Sequence, residues 1–494
     1  MTDRAEDREG TRRRVLLIGL DGVPPEFLFD RMRPVMPNVR RLIGSGLRAP
    51  LRTSDPPVSV PAWPVMFTGV DPGTLGLYGF RHRKPGTYNT MYVPTSKDVP
   101  VPTLWQILSA RGYRVGVVGM PLGYPAPAVQ GVYISDFLTP AGVTDYIHPP
   151  ELREELERKF GPYIFDVVFR STEREHLFEE LLRMTRLHFD VAEWLYGQEA
   201  WDVFAVHEIA TDRLHHAYWK YFDPDHPKFV RGNRFENAAV DYYTALDESI
   251  GKLLRQVDDR TYVMVVSDHG SMAMNGCFCV NEWLEQQGYL VLKRPAPAPG
   301  TPLGKMEVDW HRTTAWGEGG YYARIFFNVR GREPQGVVPI GQLPNLRQQI
   351  ARDLSAVIAP DGQPMGTRVL DPREIYQTVR GDAPDLIVYL GELKWRSAGS
   401  MGHPGLFLEE NDSGPDDAVH SFDGVFLFHD PRYPVERTLP LLHIRDITPT
   451  ILDLLGEHPP AHVQGSVIAG LRTEEPPVIG RPPAPGQVPA GIHP

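Results

Sequence analysis

Cysteine is almost missing from this chain of 494 residues: Cys277 and Cys279 are the only two. One residue apart, they cannot build a disulfide framework, so the sequence reads as a reduced, cytoplasmic protein. No further thiol completes them as a metal site. No run reaches the roughly 18 apolar residues of a membrane span, so no membrane partner is expected. Arg12-Arg13-Arg14 stands before an apolar run, as in an export signal, but that run stops at Asp21, short of a signal's apolar core. It reads better as a first core strand. No basic tract offsets the net charge of -11, which argues against a nucleic-acid polymer as partner. There is no Gly-x-Ser-x-Gly elbow, which weakens a Ser-His-Asp hydrolase reading. Internal repeats are absent too.

What is present is ordinary for a globular protein, with 41% hydrophobic and 23% charged residues and a length that suggests two or three domains. Short apolar, β-branched runs at 15–20, 115–118, 132–135, 203–207, 262–266, 386–389 and 425–428 read as strands. Helical periodicity at 103–111 and 240–257 alternates with them, and 447–455 reads as a closing helix ending at Gly456. The fold class is therefore α/β with a largely parallel central sheet. Residues 149–197 (helical and charged) and 281–373 (mixed) interrupt the alternation and read as inserted caps. The catalytic core then comprises 14–148, 198–280 and 374–473. A flexible N-terminus (1–13) and a disordered, Pro-rich tail (474–494) complete the expected organisation.

Seven residues carry chemistry as a set: Asp21, Ser59, Asp212, His216, Asp268, His269 and His420. Asp21 follows directly on the strand 15–20, and Asp268-His269 directly on 262–266. In open parallel sheets, ligands gather beyond the carboxyl ends of strands. An aspartate there costs desolvation energy unless something cationic sits beside it. Asp212 and His216, four residues apart within 211–220, share one face of a helix and can hold one cation. His215 competes by spacing, and His207, at a strand end, reads as structural. Pro61 suits a helix's first turn, which puts Ser59 just before that helix, where free N–H groups favour a phosphate. Pro64 fits only if it too lies in the first turn. Singly, Asp21-Gly22 is a turn, Ser59 an N-cap and Asp212/His216 a surface pair; the set is harder to explain away. A serine hydroxyl is a weak nucleophile near neutral pH, and coordination to a divalent metal would activate it.

The segments Leu17-Ile18-Gly19-Leu20-Asp21-Gly22, Pro57-Val58-Ser59-Val60-Pro61-Ala62-Trp63, Thr68-Gly69, Thr211-Asp212-Arg213-Leu214-His215-His216, Ser267-Asp268-His269-Gly270 and Asp446-Ile447-Thr448-Pro449-Thr450 resemble the alkaline phosphatase superfamily. They are most similar to its type I phosphodiesterase/nucleotide pyrophosphatase-like branch and the phosphohydrolase-or-phosphomutase group within it. The resemblance implies a three-layer α/β/α core with inserted caps. It implies two divalent metal ions, zinc by family habit, with manganese also compatible. One would be held by Asp212, His216 and a late histidine, the other by Asp21, Asp268, His269 and Ser59. His420, leading into the strand 425–428, fits the late position better than His403. Ser59 would attack a phosphate ester in line, and water would cleave the phosphoserine.

The chain also departs from the family pattern. Serine replaces a common threonine at 59, Leu75-Gly76 stands where histidine-glycine is usual, and Gly79-Phe80 occupies the place of a phosphate-binding asparagine. Arg81-His82-Arg83 follows at once, so Arg81 or Arg83 could clamp phosphate instead. On that basis a small-molecule phosphate monoester is the expected substrate. A phosphodiester or pyrophosphate, or transfer to a bound acceptor as in a phosphomutase, remain the alternatives. A sulfatase is disfavoured because Trp63 stands where its signature has arginine, and a metal-binding pseudoenzyme because no ligand position is empty. Tyr124, Trp310 and Arg312 are candidate substrate contacts. The sequence carries no signal of oligomeric state.

Overall fold

The computed structural model describes residues 12–471, so most of the expected flexible N-terminus (1–11) and the tail 474–494 lie outside the described residues. Its centre is a ten-stranded sheet. The main strands are β1 (Arg14–Leu20), β2 (Leu47–Arg52), β3 (Val115–Val118), β4 (Gly131–Ile134), β5 (Val203–Glu208), β6 (Thr261–Val266) and β7 (Asp423–His429), in spatial order β2-β7-β6-β1-β5-β3-β4. β1 pairs in parallel with β5 and β6, and β3 pairs in parallel with β4 and β5. β7 runs antiparallel between β6 and β2, which makes the sheet mostly rather than wholly parallel.

A parallel strand buried on both faces has no polar side, and β1 (RVLLIGL) shows this. Its Leu16, Ile18 and Leu20 enter one core, while Val15 and Leu17 enter the other. Helices cover both faces. On the first lie α2 (Arg174–Tyr196), α3 (Ala210–Phe222) and α4 (Ala238–Leu254), through Leu181, Leu214 and Leu246 among others. On the second lie α1 (Ser59–Thr68) and α5 (Ile447–Leu454), through Trp63, Phe67 and Ile451. The result is a three-layer α/β/α core. Among the described residues no helix is long and apolar enough to cross a membrane.

The two expected insertions behave differently. From 149–197 comes α2, whose Leu177, Leu181 and Met184 are buried in the sheet-facing core, so this helix belongs to the core layer rather than to a cap. Apart from the buried Arg174, its charged residues lie towards the outer face, and a charged face of this kind reads like a detached cap. The loop before it does reach the site, through Asp166, Phe169 and Arg170. The other insertion builds a second core around a four-stranded sheet. That sheet also takes Leu386–Tyr389, which pairs antiparallel with Ala323–Phe327. The expected core strand 386–389 is therefore part of the second unit, and the boundary at 373 falls too early. A four-residue apolar run reads the same whichever sheet it joins.

Candidate functional site

Asp21 leaves the carboxyl end of β1, and Asp268-His269 leave that of its neighbour β6. The first turn of α1 is set against them. Ser59 is the first residue of α1, one position later than the sequence suggested, and its hydroxyl turns away from capping the helix. Ser59 Oγ lies 3.1 Å from Asp21 Oδ1 and 3.1 Å from His269 Nε2. Pro64 lies inside the helix and not in its first turn.

Both glycines of the Gly19-Leu20-Asp21-Gly22 stretch are required by close approach. A Cβ at Gly19 would stand 2.8 Å from Trp63 Cη2, and one at Gly22 (φ +68°) would stand 2.9 Å from Asp212 Oδ1. These two missing side chains let α1 and α3 close on β1.

On α3, Asp212 and His216 are one turn apart as expected, with His216 Nε2 3.2 Å from Asp212 Oδ1. His215 points elsewhere, its Nδ1 3.0 Å from the Gly22 carbonyl and its Nε2 3.0 Å from the Tyr243 hydroxyl. His420 arrives on the strand Ala418–Ser421, which pairs antiparallel with Gly270–Ala273 so that His420 lies opposite Ser271. Its Nε2 is 3.2 Å from His216 Nε2 and 3.6 Å from Asp212 Oδ1. The competitor His403 instead meets Ser400 Oγ at 2.8 Å, away from both groups. Two trios result, Asp212/His216/His420 and Asp21/Asp268/His269, all six residues buried, with the ligand atoms of each trio within 4.8 Å of one another. The His269 and His420 rings stack at 3.8 Å between centroids, which joins the trios.

Each carboxylate has one oxygen tied back and one turned inward. Asp21 Oδ2 accepts from Trp63 Nε1 at 2.7 Å and lies 3.0 Å from His207 Nε2, leaving Oδ1 on the Ser59 side. Asp212 Oδ2 accepts from Arg213 Nη1 at 2.9 Å, and Asp268 Oδ1 accepts from the Gly22 amide at 3.3 Å. The inward oxygens, Asp212 Oδ1 and Asp268 Oδ2, are buried with no hydrogen-bond partner among the described residues. The imidazoles follow the same rule. Nδ1 of His216, His269 and His420 faces the carbonyls of Ala418, Gly270 and Pro57 at 3.1, 2.9 and 2.7 Å. A carbonyl only accepts, so each Nδ1 carries the proton and each Nε2 offers a lone pair to the cluster. Buried anionic oxygens and facing lone pairs are costly unless a cation lies among them. The donor set of imidazole nitrogens and carboxylate oxygens suits two divalent ions such as zinc.

The electrostatics report crowded carboxylate charge that either protons or a metal cation must offset. Burial and then the neighbouring Asp21 carboxylate push Asp268 well above the ordinary carboxylate range. Burial works against charge on His216, but Asp212 and Asp416 outweigh it and raise its pKa well above the ordinary value. Burial and His269 together push His420 well down.

Four residues of the site escaped the sequence reading: Trp63, His207, Asp416 and Tyr321. His207 reads as structural in the sequence, yet with Trp63 it is one of the two groups that fix Asp21. Asp416 Oδ1 lies 2.7 Å from His216 Nδ1. Tyr321 stacks on His420 at 3.7 Å between centroids, with its hydroxyl 3.2 Å from His216 Nε2. No motif flags a carboxylate or ring that acts only through another ligand.

Val58 and Tyr321 also line a cleft of about 500 Å³ that opens beside the two trios. Arg81 lines it as well. Arg83, the other expected phosphate clamp, is engaged elsewhere: Nη1 donates to Glu333 Oε2 at 2.6 Å and Nε to Asp382 Oδ2 at 2.8 Å. Two carboxylates neutralise a guanidinium that is almost wholly buried, so Arg83 is a structural ion-pair centre and not a clamp. Tyr124 is half-buried and pairs with Asp145. Trp310 has its ring face covered by Tyr88 at 3.6 Å, and Arg312 is exposed.

A family model described as "Type I phosphodiesterase / nucleotide pyrophosphatase" matches residues 15–421. No curated protein matches the sequence. Among solved structures, the chain is similar to phosphonoacetate hydrolase from Sinorhizobium meliloti 1021, solved in complex with phosphonoformate, with 16% identity and a TM-score of 0.58 over 90% of this chain and 96% of that one. At that identity the likeness speaks for the fold.

Proposed function

The chain belongs to the type I phosphodiesterase / nucleotide pyrophosphatase family of the alkaline phosphatase superfamily, a family of metal-dependent phosphoric ester hydrolases, and on that premise we propose that it cleaves a small-molecule phosphate ester with Ser59 as nucleophile. The observation that carries this reading is the position of Ser59 Oγ, 3.1 Å from both Asp21 Oδ1 and His269 Nε2 at the start of a helix. Asp212, His216 and His420 would hold one divalent ion, and Asp21, Asp268, His269 and Ser59 the other. Two such cations favour the ionised serine and offset charge on the transferring phosphoryl group.

Ser59 Oγ forms the new bond to phosphorus as the ester oxygen departs on the opposite side. Water then breaks the phosphoserine bond, releasing phosphate and restoring the hydroxyl. Tyr321 and Val58 flank the approach, and Trp63 and His207 keep the Asp21 carboxylate from rotating away from Ser59. The monoester preference expected from Arg81 and Arg83 loses Arg83 to Glu333 and Asp382, so ester class passes to experiment.

The test loads the purified protein with zinc or manganese and compares p-nitrophenyl phosphate with bis-p-nitrophenyl phosphate. Adding glycerol as a competing acceptor separates hydrolysis from phosphate transfer. Ser59→Ala lowers turnover on the order of 10⁴-fold or more, as loss of a nucleophile does, while two ions per chain remain bound. Substantial activity in Ser59→Ala would remove Ser59 from this role.

A further inference from the structure

Five arginines line the cleft beside the site: Arg81, Arg170, Arg213, Arg324 and Arg396. Three are already spent. Arg170 and Arg396 both donate to Asp416, at 3.0 and 2.8 Å, and Arg213 donates to Asp166 at 2.7 Å and to Asp212 at 2.9 Å. Arg324 differs. It is 8% exposed, yet it forms no ion pair with any described residue, and Nη1 donates to the Arg81 carbonyl at 2.7 Å. Desolvating a guanidinium without an anion is expensive. The acid placed to answer it is Glu318, opposite Arg324 in the hairpin register, but no ion pair joins the two. Glu318 lines the same cleft, and burial raises its pKa against the pull of Arg324, Arg83 and Arg81.

The fold holds Arg324 there deliberately. Its strand Ala323–Phe327 is buried throughout, and the residue lies against the Gly79–Arg81 turn, where a Cβ at Gly79 would meet Nη1 at 3.6 Å. Arg81 is the exposed partner on that turn and, among the described residues, is likewise without an ion pair. A guanidinium has five donors in a fork suited to two oxygens at once. The carbonyl of Arg81 takes one.

We propose that Arg324, with Arg81, binds a second anionic group on the substrate, a carboxylate or phosphate carried by the part of the molecule that leaves. This rests on the phosphate-ester reading above and narrows it to esters of acidic alcohols or phenols.

The test compares 4-carboxyphenyl phosphate with 4-carbamoylphenyl phosphate on the metal-loaded protein, or the matching diesters if only diesters turn over. The two differ in one charge at nearly constant shape. The wild-type protein favours the carboxylate at least about tenfold in kcat/KM, as a charge-assisted fork should. Arg324→Gln and Arg81→Gln each shrink that ratio, and Arg324→Lys restores part of it. A wild-type ratio near one, or a ratio that both glutamine variants retain, overturns the proposal. Arg81 is exposed, so Arg81→Gln keeps the question open to measurement should Arg324→Gln fail to fold. If no phosphate ester of either class is cleaved, it is the hydrolase reading that fails. Calorimetric binding of 4-carboxybenzylphosphonate then decides: weaker binding in Arg81→Gln supports the anion site, and equal or absent binding overturns it.

Discussion

His216 Nδ1 stands 2.7 Å from Asp416 Oδ1, so one of the six cluster residues is steered by a carboxylate that is not in the cluster. Arg170 and Arg396 hold Asp416 in place, and against burial His216 first and then Arg396 and Arg170 keep its carboxyl well below the usual range. A carboxylate behind a histidine fixes its tautomer and raises the basicity of the other ring nitrogen. Asp416→Asn therefore weakens the affinity for one of two metal ions by about 10–100-fold. Titration with a competing chelator reads this directly: one ion is lost early and the other at the wild-type concentration. Simultaneous loss of both ions would deny the trios their independence.

Gly19 and Trp63 give a test of how Asp21 is held. Gly19→Ala places a methyl 2.8 Å from Trp63 Cη2 and must push the indole, whose Nε1 donates to Asp21 Oδ2. Overpacking of this kind costs about 1–3 kcal/mol. Trp63→Phe keeps most of the ring but removes the donor, for a cost of about 1.5–3 kcal/mol expected of a hydrogen bond to a charged group. Urea denaturation measures both, and the two changes combined should fall short of their sum because they act on the same contact.

Arg83 separates a structural cation from a binding one. Arg83→Met leaves Glu333 and Asp382 facing a neutral side chain, and breaking a buried ion pair from one side costs about 3–5 kcal/mol. Thermal unfolding should show the loss, while KM per folded molecule stays near the wild-type value. A stable Arg83→Met protein with a raised KM would return Arg83 to the role of clamp.

His82 predicts a pH dependence of stability. Burial, and then Arg324, lower its pKa to about 3, and Nε2 accepts from the Tyr78 amide at 2.8 Å, which requires the neutral ring. Below about pH 6.5 the unfolded chain takes up a proton that the folded ring refuses. The contribution is complete above that pH and falls by roughly 1.4 kcal/mol per pH unit below it, down to the folded value. Denaturant midpoints between pH 7 and 5 should therefore drop less steeply in His82→Gln, whose side-chain oxygen can still accept from Tyr78. An unchanged slope would place the proton elsewhere.

Much of the site was readable because its ligands lie next to strong local signals. Asp21, Asp268 and His269 terminate apolar strands, and Asp212 and His216 share a helix face, so each is fixed by a period of two or 3.6 residues. Ser59 was legible through Pro61, which marks the first turn of a helix, although Ser59 itself opens that helix. Trp63, His207, Asp416 and Tyr321 were not legible, because each acts through a contact between segments distant in sequence. The 149–197 segment misled for a related reason: its charges report its outer face, while the leucines that pack on α3 and α4 are spaced like those of any amphipathic helix.

Most of the central strands, the amphipathic helices and the chemical identity of the candidate ligands were legible in the sequence, because these depend on neighbours a few residues away. The resemblance to the family implied two divalent cations, and the two buried trios are consistent with that. Contacts across the fold settled which oxygen of each carboxylate faces inward, that Arg83 is neutralised, and that Arg324 is buried with no ion pair to a described residue. Those outcomes depend on which groups end up within about 3 Å across the fold, where burial makes an unpaired charge costly and a second partner decisive.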